Sequence, residues 1–203
     1  MSYSLELYQL DWQQLAGVIG SGDQELVAAI DAASDPRMFE QPDPAGQRIL
    51  WRKVVEALIV GRRGQEIRVR AQDPTFQEEV SDLTALAMCG IIRAQGTQVG
   101  TLDHSSSSGE LFRDEFLGAL PSKIGLPGKP EEIVSRPLSG LVHPLYPSWG
   151  GLTKFEIDQV FRTVSIENLP LFDDSDLDGW LYDFVDSLTA VQEQNSDLVT
   201  LYL

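Results

Sequence analysis

The sequence predicts an α+β fold: a mostly helical single domain with a small sheet formed by the N- and C-terminal strands. Residues 2–10 alternate apolar and polar side chains, which is the period of a half-buried strand. Residues 198–203 form a short apolar run that follows a turn at Asn195. With helical patterns filling most of the chain between them, these two strands favour one sheet that joins the termini, covered by helices on one side.

Apolar side chains recur at helical spacing through most of the intervening segments. The predicted helices cover residues 12–19, 23–33, 45–60, 75–94, 110–120, 154–164 and 176–193, and a short strand is expected at 98–102. Pairs typical of helix capping mark four of these starts: Asp11 with Gln14, Ser21 with Gln24, Thr75 with Glu78, and Thr153 with Glu156. Residues 121–151 contain six prolines and five glycines, so they are expected to be mostly loop, with one helical turn near 131–135.

The chain has 203 residues, which suits one globular domain spanning 1–203. Its lone cysteine, Cys89, excludes an intrachain disulfide and a CxxC zinc or redox site, and no cofactor is predicted. Residues 1–8 lack the basic and apolar regions of a secretory signal, so a cytoplasmic location is expected. The most apolar stretch, residues 83–92, is about half the length that a membrane span needs.

The formal net charge is −16, which disfavours nucleic acid and anionic lipid as partners. The charge is uneven, because residues 163–203 carry nine acids and no Lys or Arg. Seven basic residues crowd one earlier segment: Arg48, Arg52, Lys53, Arg62, Arg63, Arg68 and Arg70. Two interpretations stay open: solvated helix faces that neutralise one another within the fold, or an acidic face that recruits a basic protein.

Asp174, Asp176 and Asp178 precede Gly179 with the spacing that opens a calcium loop. Position twelve of that loop, which should supply a bidentate acid, is Val185. The other interpretation is structural, since Ser175 with Asp178 is a capping pair and acids are stabilised at a helix N-terminus. Calcium is therefore only a weak candidate, and no metal site is predicted.

Asp103 and His104 precede Ser105 and Ser107, which places an acid, an imidazole and hydroxyls close together in sequence. Hydrolases need these groups in space, and the segment lacks the Gly-x-Ser-x-Gly pattern of a nucleophile elbow. The alternative is that Ser108 or its neighbours cap the helix beginning near Glu110. A third candidate is His143 with Tyr146 and Trp149, which either line a pocket or anchor the 121–151 segment on the core.

Several short pieces resemble an uncharacterised family of small bacterial proteins of unknown function. They are the MSYSL start, the segment LDHSSSSG at residues 102–109, the GLT step at 151–153 and the DLVTLY end. The arrangement of terminal strands around helices is also similar to small bacterial α+β proteins, some of them suspected immunity proteins in toxin systems. Neither resemblance carries catalytic residues over to this chain.

The leading hypothesis is a non-enzymatic cytoplasmic binding protein, of the immunity or antagonist type, with an acidic surface for a basic partner. Its predicted binding residues are Asp173, Asp174, Asp176, Asp178, Trp180 and Tyr182, the two aromatics supplying affinity if they are exposed. The rival hypothesis is a small hydrolase or ligand-binding enzyme with a cleft around His104, using Asp103 and a nearby serine and closed by the 121–151 segment. The sequence leaves the oligomeric state open.

Overall fold

The computed structural model describes residues 2–33, 44–60, 74–126, 131–136, 138, 148–165 and 168–203. The predicted α+β class is confirmed, with a four-stranded antiparallel sheet and a largely helical remainder. The chain divides into two compact units, which we describe separately. One contains Met1–Trp12, Thr97–Arg136 and Ser148–Leu203, and the other contains Gln13–Gly96 and Pro137–Pro147. The single domain over 1–203 stays a prediction.

The first unit, the sheet unit, contains all four strands in the spatial order β2-β1-β4-β3. The strands are β1 Ser2–Gln9, β2 Thr97–Ser105, β3 Ser148–Leu152 and β4 Leu198–Tyr202. The terminal strands pair directly at the centre, with Glu6 opposite Leu201, as the sequence predicts. However, β2 is longer than the expected 98–102, and β3 was not predicted.

Strand β3 lies inside the segment that was expected to be mostly loop. Backbone atoms of neighbouring segments lie so close to its two glycines that a side chain there would collide with them. A Cβ at Gly150 would overlap the backbone of Ile133, and Gly151 has φ 143°, a left-handed value that disfavours side chains. The expectation of loop therefore differs from the structure at residues 148–151, although the predicted helical turn near 131–135 is confirmed.

Helices of the sheet unit cover the face of the sheet that carries Leu5, Leu7 and Leu102, and these leucines share a buried core with residues from the covering helices. A 3₁₀ turn, Ser106–Ser108, leads into a π-helix, Leu111–Leu117, and a short helix, α5 Gly118–Lys123. The remaining helices here are α6 Glu131–Val134, α7 Lys154–Thr163 and α8 Ser175–Glu193. The other face differs along the sheet: Trp149 and Leu201 are buried, whereas Asp103 is exposed.

Two sets of hydrogen bonds, each made by half-buried polar side chains, hold the loops around α7. The Asp197 carboxylate accepts hydrogen bonds from the backbone N–H of Trp12 at 2.8 Å and of Lys154 at 2.6 Å. Arg136 donates to both carboxylate oxygens of Glu156, at 2.9 and 2.6 Å, and to Glu132 at 3.0 Å. Glu156 also closes the predicted capping box with Thr153. These contacts account for the ordered start of α7.

The described part of the second unit contains four helices. They are α1 Trp12–Val18, whose first residue belongs to the sheet unit, α2 Gln24–Ala33, α3 Pro44–Val60 and α4 Pro74–Gln95. All four were predicted to within about two residues at each end. Their core includes Ile30, Trp51, Leu58 and Met88. No helix in the described parts of the chain is long and apolar enough to span a membrane.

Of the predicted basic segment, the structure describes only the part on α3. The Arg48 and Arg52 guanidinium groups lie 3.5 and 3.4 Å from the Asp31 carboxylate. Arg62, Arg63, Arg68 and Arg70 fall outside the described residues. On α3, some of the basic charge is therefore neutralised within its own unit, as the first of the two charge interpretations expects.

Candidate functional site

Strand β2 separates the acid and the imidazole that the sequence places side by side. Successive side chains of a strand point to opposite faces. His104 lies opposite Tyr3 and points into the core, with 5% of its surface exposed. Asp103 lies opposite Ser4, and its side chain is exposed on the other face. Asp103 therefore cannot orient the His104 ring as the acid of a catalytic triad does.

His104 lies in a cluster of aromatic rings drawn from three strands and two helices. Its ring stacks on Phe112 with centroids 4.3 Å apart, and on Tyr3 and Tyr202 at 5.6 and 5.8 Å. The Trp180 ring stands edge-on at 6.4 Å. The Nε2 atom is buried without a hydrogen-bond partner in the described structure, and Nδ1 lies 3.3 Å from the Ser105 carbonyl oxygen.

Burial is the main influence on the charge of His104. It lowers the pKa of the imidazole below its ordinary value, although the Ser105 carbonyl and the Asp103 charge act in the opposite direction. The ring is therefore neutral at pH 7. A buried neutral histidine stacked on aromatic rings is a core side chain by all its contacts.

The candidate serines form a capping structure instead of a nucleophile. The Ser105 hydroxyl accepts from the Ser108 N–H at 3.3 Å, and the Ser108 hydroxyl accepts from the Ser105 N–H at 3.0 Å. The Ser107 hydroxyl lies 2.7 Å from that of Ser105. Neither the Ser105 nor the Ser107 hydroxyl bonds to His104 in the described structure. The serine run thus caps a 3₁₀ turn at Ser106–Ser108, whereas the helix after Glu110, which the capping alternative assigned to these serines, has no side-chain cap among the described residues.

Two of the predicted binding acids hold the start of α8. The Asp174 carboxylate accepts from the backbone N–H of Asp176 at 2.8 Å and of Leu177 at 3.4 Å. The Asp178 carboxylate accepts from the Phe172 N–H at 2.6 Å. No group of three metal-binding side chains that could hold an ion occurs among the described residues, Asp174, Asp176 and Asp178 included. Asp174 and Asp178 therefore have structural partners, and the calcium interpretation gains no support.

The exposed side of α8 carries three acids at helical spacing, with one aromatic side chain at their edge. We call the exposed side chains of Asp176, Tyr182, Asp183 and Asp186 the α8 stripe. Tyr182 is 46% exposed. None of the three carboxylates forms an ion pair with another described residue. Asp173, just before the helix, is also exposed.

Asp183 and Asp186 were not among the binding residues predicted individually, although they fall within the acidic segment. The signal that finds them is spacing: residues 176, 183 and 186 differ by seven and three, so a helix places them on one side. The core positions Leu177, Leu181, Phe184 and Leu188 fix which side that is, because they face the sheet.

Trp180 is half-buried, unlike Tyr182. Its ring packs edge-on against Phe112 and Phe116, at 4.8 and 5.7 Å, and its indole N–H donates to the Asp103 carbonyl oxygen at 3.1 Å. Of the two predicted aromatic anchors, Tyr182 is the exposed one. In the third candidate, Trp149 is fully buried in β3, and His143 and Tyr146 lie outside the described residues.

Comparisons with protein-family models, curated proteins and solved structures give no match.

Proposed function

We propose that the protein is a non-enzymatic binding protein of the bacterial cytoplasm, of the immunity or antagonist type, whose acidic surface engages a basic protein. The observation that carries this proposal is the α8 stripe: three carboxylates without ion-pair partners in the described structure, with an exposed tyrosine beside them. Asp183 and Asp186 neither cap the helix nor pair with a base in the described structure, so both are available to a partner, whereas Asp176 also lies in the first turn of α8, where an acid is favourable.

The chemistry of the stripe suits a basic partner in two ways. Clustered negative charge steers a positively charged protein during diffusion and raises the association rate, most strongly at low salt. Tyr182 offers an aromatic side chain that can be desolvated at the centre of an interface, where tyrosines often carry much of the binding energy. The stripe thus supplies a source of speed and a source of affinity.

The net charge of −16 supports a protein as the partner over nucleic acid or an anionic membrane surface. Long-range repulsion from phosphate groups would oppose approach at any face that lacks a basic patch. The only described basic cluster on α3 is partly neutralised by Asp31.

The rival proposal, a hydrolase or ligand-binding enzyme around His104, receives less support from the geometry. Asp103 and His104 point to opposite faces, and the Ser105 and Ser107 hydroxyls bond to other serines. A catalytic base needs hydrogen-bond reach to the group it deprotonates, and His104 Nε2 is buried among aromatic rings.

Affinity capture from a lysate of the native host tests the proposal. Three baits are used: the wild-type chain, a stripe variant with Asp176→Asn, Asp183→Asn and Asp186→Asn, and a control with Glu25→Gln, Glu56→Gln and Glu115→Gln. The control changes three exposed acids elsewhere, so both variants carry the same net charge.

We expect the wild type and the control to capture one stoichiometric basic protein at about 0.02 M salt, with less at about 0.15 M. The stripe variant should lose it. A blank from the wild type, or equal capture by all three baits, would contradict the proposal.

A further inference from the structure

Strand β2 forms one edge of the sheet and pairs only with β1 among the described strands. On β1, Ser4 exchanges both of its backbone hydrogen bonds with Leu203, on the β4 side, at 2.9 Å each. Because backbone groups alternate in direction along a strand, the bonds of β1 to β2 come from Tyr3, Leu5 and Leu7. The partners of these residues are His104, Leu102 and Gly100, so the backbone groups of Thr101 and Asp103 point outward.

The outward backbone groups of β2 have hydrogen-bond partners at its C-terminal end, near Ser105, but three of the groups before that end have none in the described structure. At Ser105, the Ser108 hydroxyl bonds both the N–H and the carbonyl oxygen, at 3.0 and 3.2 Å. The Asp103 carbonyl oxygen accepts the Trp180 indole N–H. The Thr101 N–H, the Thr101 carbonyl and the Asp103 N–H make no hydrogen bond within the described structure. The edge therefore offers three neighbouring backbone groups without described partners. The fourth, the Asp103 carbonyl oxygen, is occupied by the Trp180 indole.

Negative charge lies beside this open edge. Trp180 reaches it from α8, and on a helix the residues four before and three after it, Asp176 and Asp183, are its neighbours. Both belong to the α8 stripe. The Asp103 side chain is itself exposed on the other face of the sheet. A strand added along β2 would thus have the Asp103 carboxylate on one face and, on the other, the helix that carries the α8 stripe.

We propose that the outer edge of β2, at Thr101 and Asp103, binds an extended basic segment of the partner protein as an additional strand. The segment receives a hydrogen bond from each of the Thr101 and Asp103 N–H groups and donates one to the Thr101 carbonyl. A Lys or Arg opposite Asp103 completes the pairing. The inference rests on the proposed function and specifies the form of its partner. A second copy of this chain fits less well than a basic segment, because its own net charge of −16 opposes approach to an acidic edge.

Trp180 regulates how much of the edge is open. Its indole occupies the Asp103 carbonyl oxygen, which is the hydrogen-bond acceptor that a longer added strand would use next. Side chains that cover an edge are a known protection against unwanted strand pairing. Trp180→Phe keeps an aromatic ring against Phe112 but removes the N–H donor, so it should free that oxygen.

The test uses the full chain and a short synthetic peptide in which Lys and Thr alternate. Hydrogen exchange measured by NMR should show the Thr101 and Asp103 amides slowing about tenfold on binding, because each gains an acceptor. The Leu102 amide, already paired with β1, serves as the internal reference. The same peptide methylated on its backbone nitrogens keeps its charge but cannot donate, and should bind more weakly. Trp180→Phe should raise the affinity of the unmethylated peptide about threefold.

Three outcomes would overturn the inference: no binding, binding that leaves both amides unchanged, or equal binding of the methylated peptide. Slow exchange of the Thr101 and Asp103 amides without peptide, in a sample that sedimentation shows to be a dimer, would also overturn it. The proposed function fails separately, by a blank in the lysate capture, so a captured partner with unaffected amides would leave an acidic interface made by side chains alone.

Discussion

Two groups of charged residues in the sheet unit have opposite surroundings. Arg136 and Glu156 have side chains 17% and 25% exposed, and every carboxylate oxygen of Glu156 has a donor. The acids of the α8 stripe are exposed and have no ion-pair partner in the described structure. The first group stabilises the start of α7, whereas the second has no side-chain partner among the described residues, and only Asp176, in the first turn of α8, has a position that favours an acid. Substitutions can therefore separate the charge that stabilises the fold from the charge that we propose for binding.

The largest expected effect belongs to the paired group. Arg136→Met should lower the free energy of unfolding by about 3 kcal/mol, because it leaves Glu156 half-buried without its bidentate donor. Urea denaturation measures the change. The matched variant Arg113→Met removes an exposed ion pair with Asp114, which solvent screens, and should change the stability far less. Equal losses in the two variants would abolish the distinction between paired and surface charge.

Asp197 should show the next largest effect. Asp197→Ala removes the acceptor for the N–H groups of Trp12 and Lys154 and should cost about 2 kcal/mol. Asp197→Asn retains one acceptor oxygen and should cost less. Thermal denaturation of both variants measures which loses more stability. An unchanged stability in Asp197→Ala would show that these N–H groups find other partners.

The aromatic cluster adds a dependence on pH. Burial lowers the pKa of His104 in the folded chain. At a pH just below the ordinary histidine pKa, the ring therefore binds a proton more readily in the unfolded chain than in the folded one. Stability from the neutral ring is full above about pH 6.5 and declines as the pH falls from there toward the folded pKa. His104→Phe, which keeps the stacking on Phe112, should flatten this part of the profile. An identical slope in wild type and variant would remove His104 as its cause.

Glu156 adds a dependence on pH in the acidic range. Burial alone would raise its pKa, but the hydrogen bonds from Arg136 and from the Thr153 N–H and hydroxyl outweigh burial and hold the pKa below its ordinary value. Its stabilisation is therefore present above about pH 4.5 and lost as the pH falls through the folded pKa. Glu156→Gln should lose stability at pH 7 and less at strongly acidic pH. Urea denaturation at both pH values measures this, and a constant difference would contradict it.

The smallest effect on stability should come from the stripe. The triple change of Asp176, Asp183 and Asp186 to Asn should alter the free energy of unfolding by no more than about 0.5 kcal/mol, since these side chains hold no structural contact in the described structure. A large loss in chemical denaturation would show that the acids serve the fold, and the comparison would then fail.

Much of the fold could be predicted from local patterns. The alternation in residues 2–10 and the capping pair Thr153–Glu156 are local signals, and the structure contains the strand and the helix they predict. Strand β3 could not be found in this way. Its sequence, Ser-Trp-Gly-Gly-Leu, lacks alternation, and its glycines are there because α6 and β4 approach closely.

The candidate site was predictable only in part. The sequence indicates that Asp103, His104 and the serines are adjacent, but a strand sends adjacent side chains to opposite faces. The expected strand ended at residue 102, and its extension to Ser105 is what separates the acid from the imidazole. Likewise, the sequence locates acids in residues 173–186 but does not show that Asp174 and Asp178 cap backbone groups while Asp183 and Asp186 remain available.

The most direct test of the central claim is the association rate of the purified partner with the wild type, the stripe variant and the Glu25, Glu56 and Glu115 control. We predict that at about 0.02 M salt the stripe variant associates about tenfold more slowly, that the control matches the wild type, and that salt removes most of the difference. Equal rates for both variants would show that net charge or another face governs binding, and would contradict the assignment of the α8 stripe.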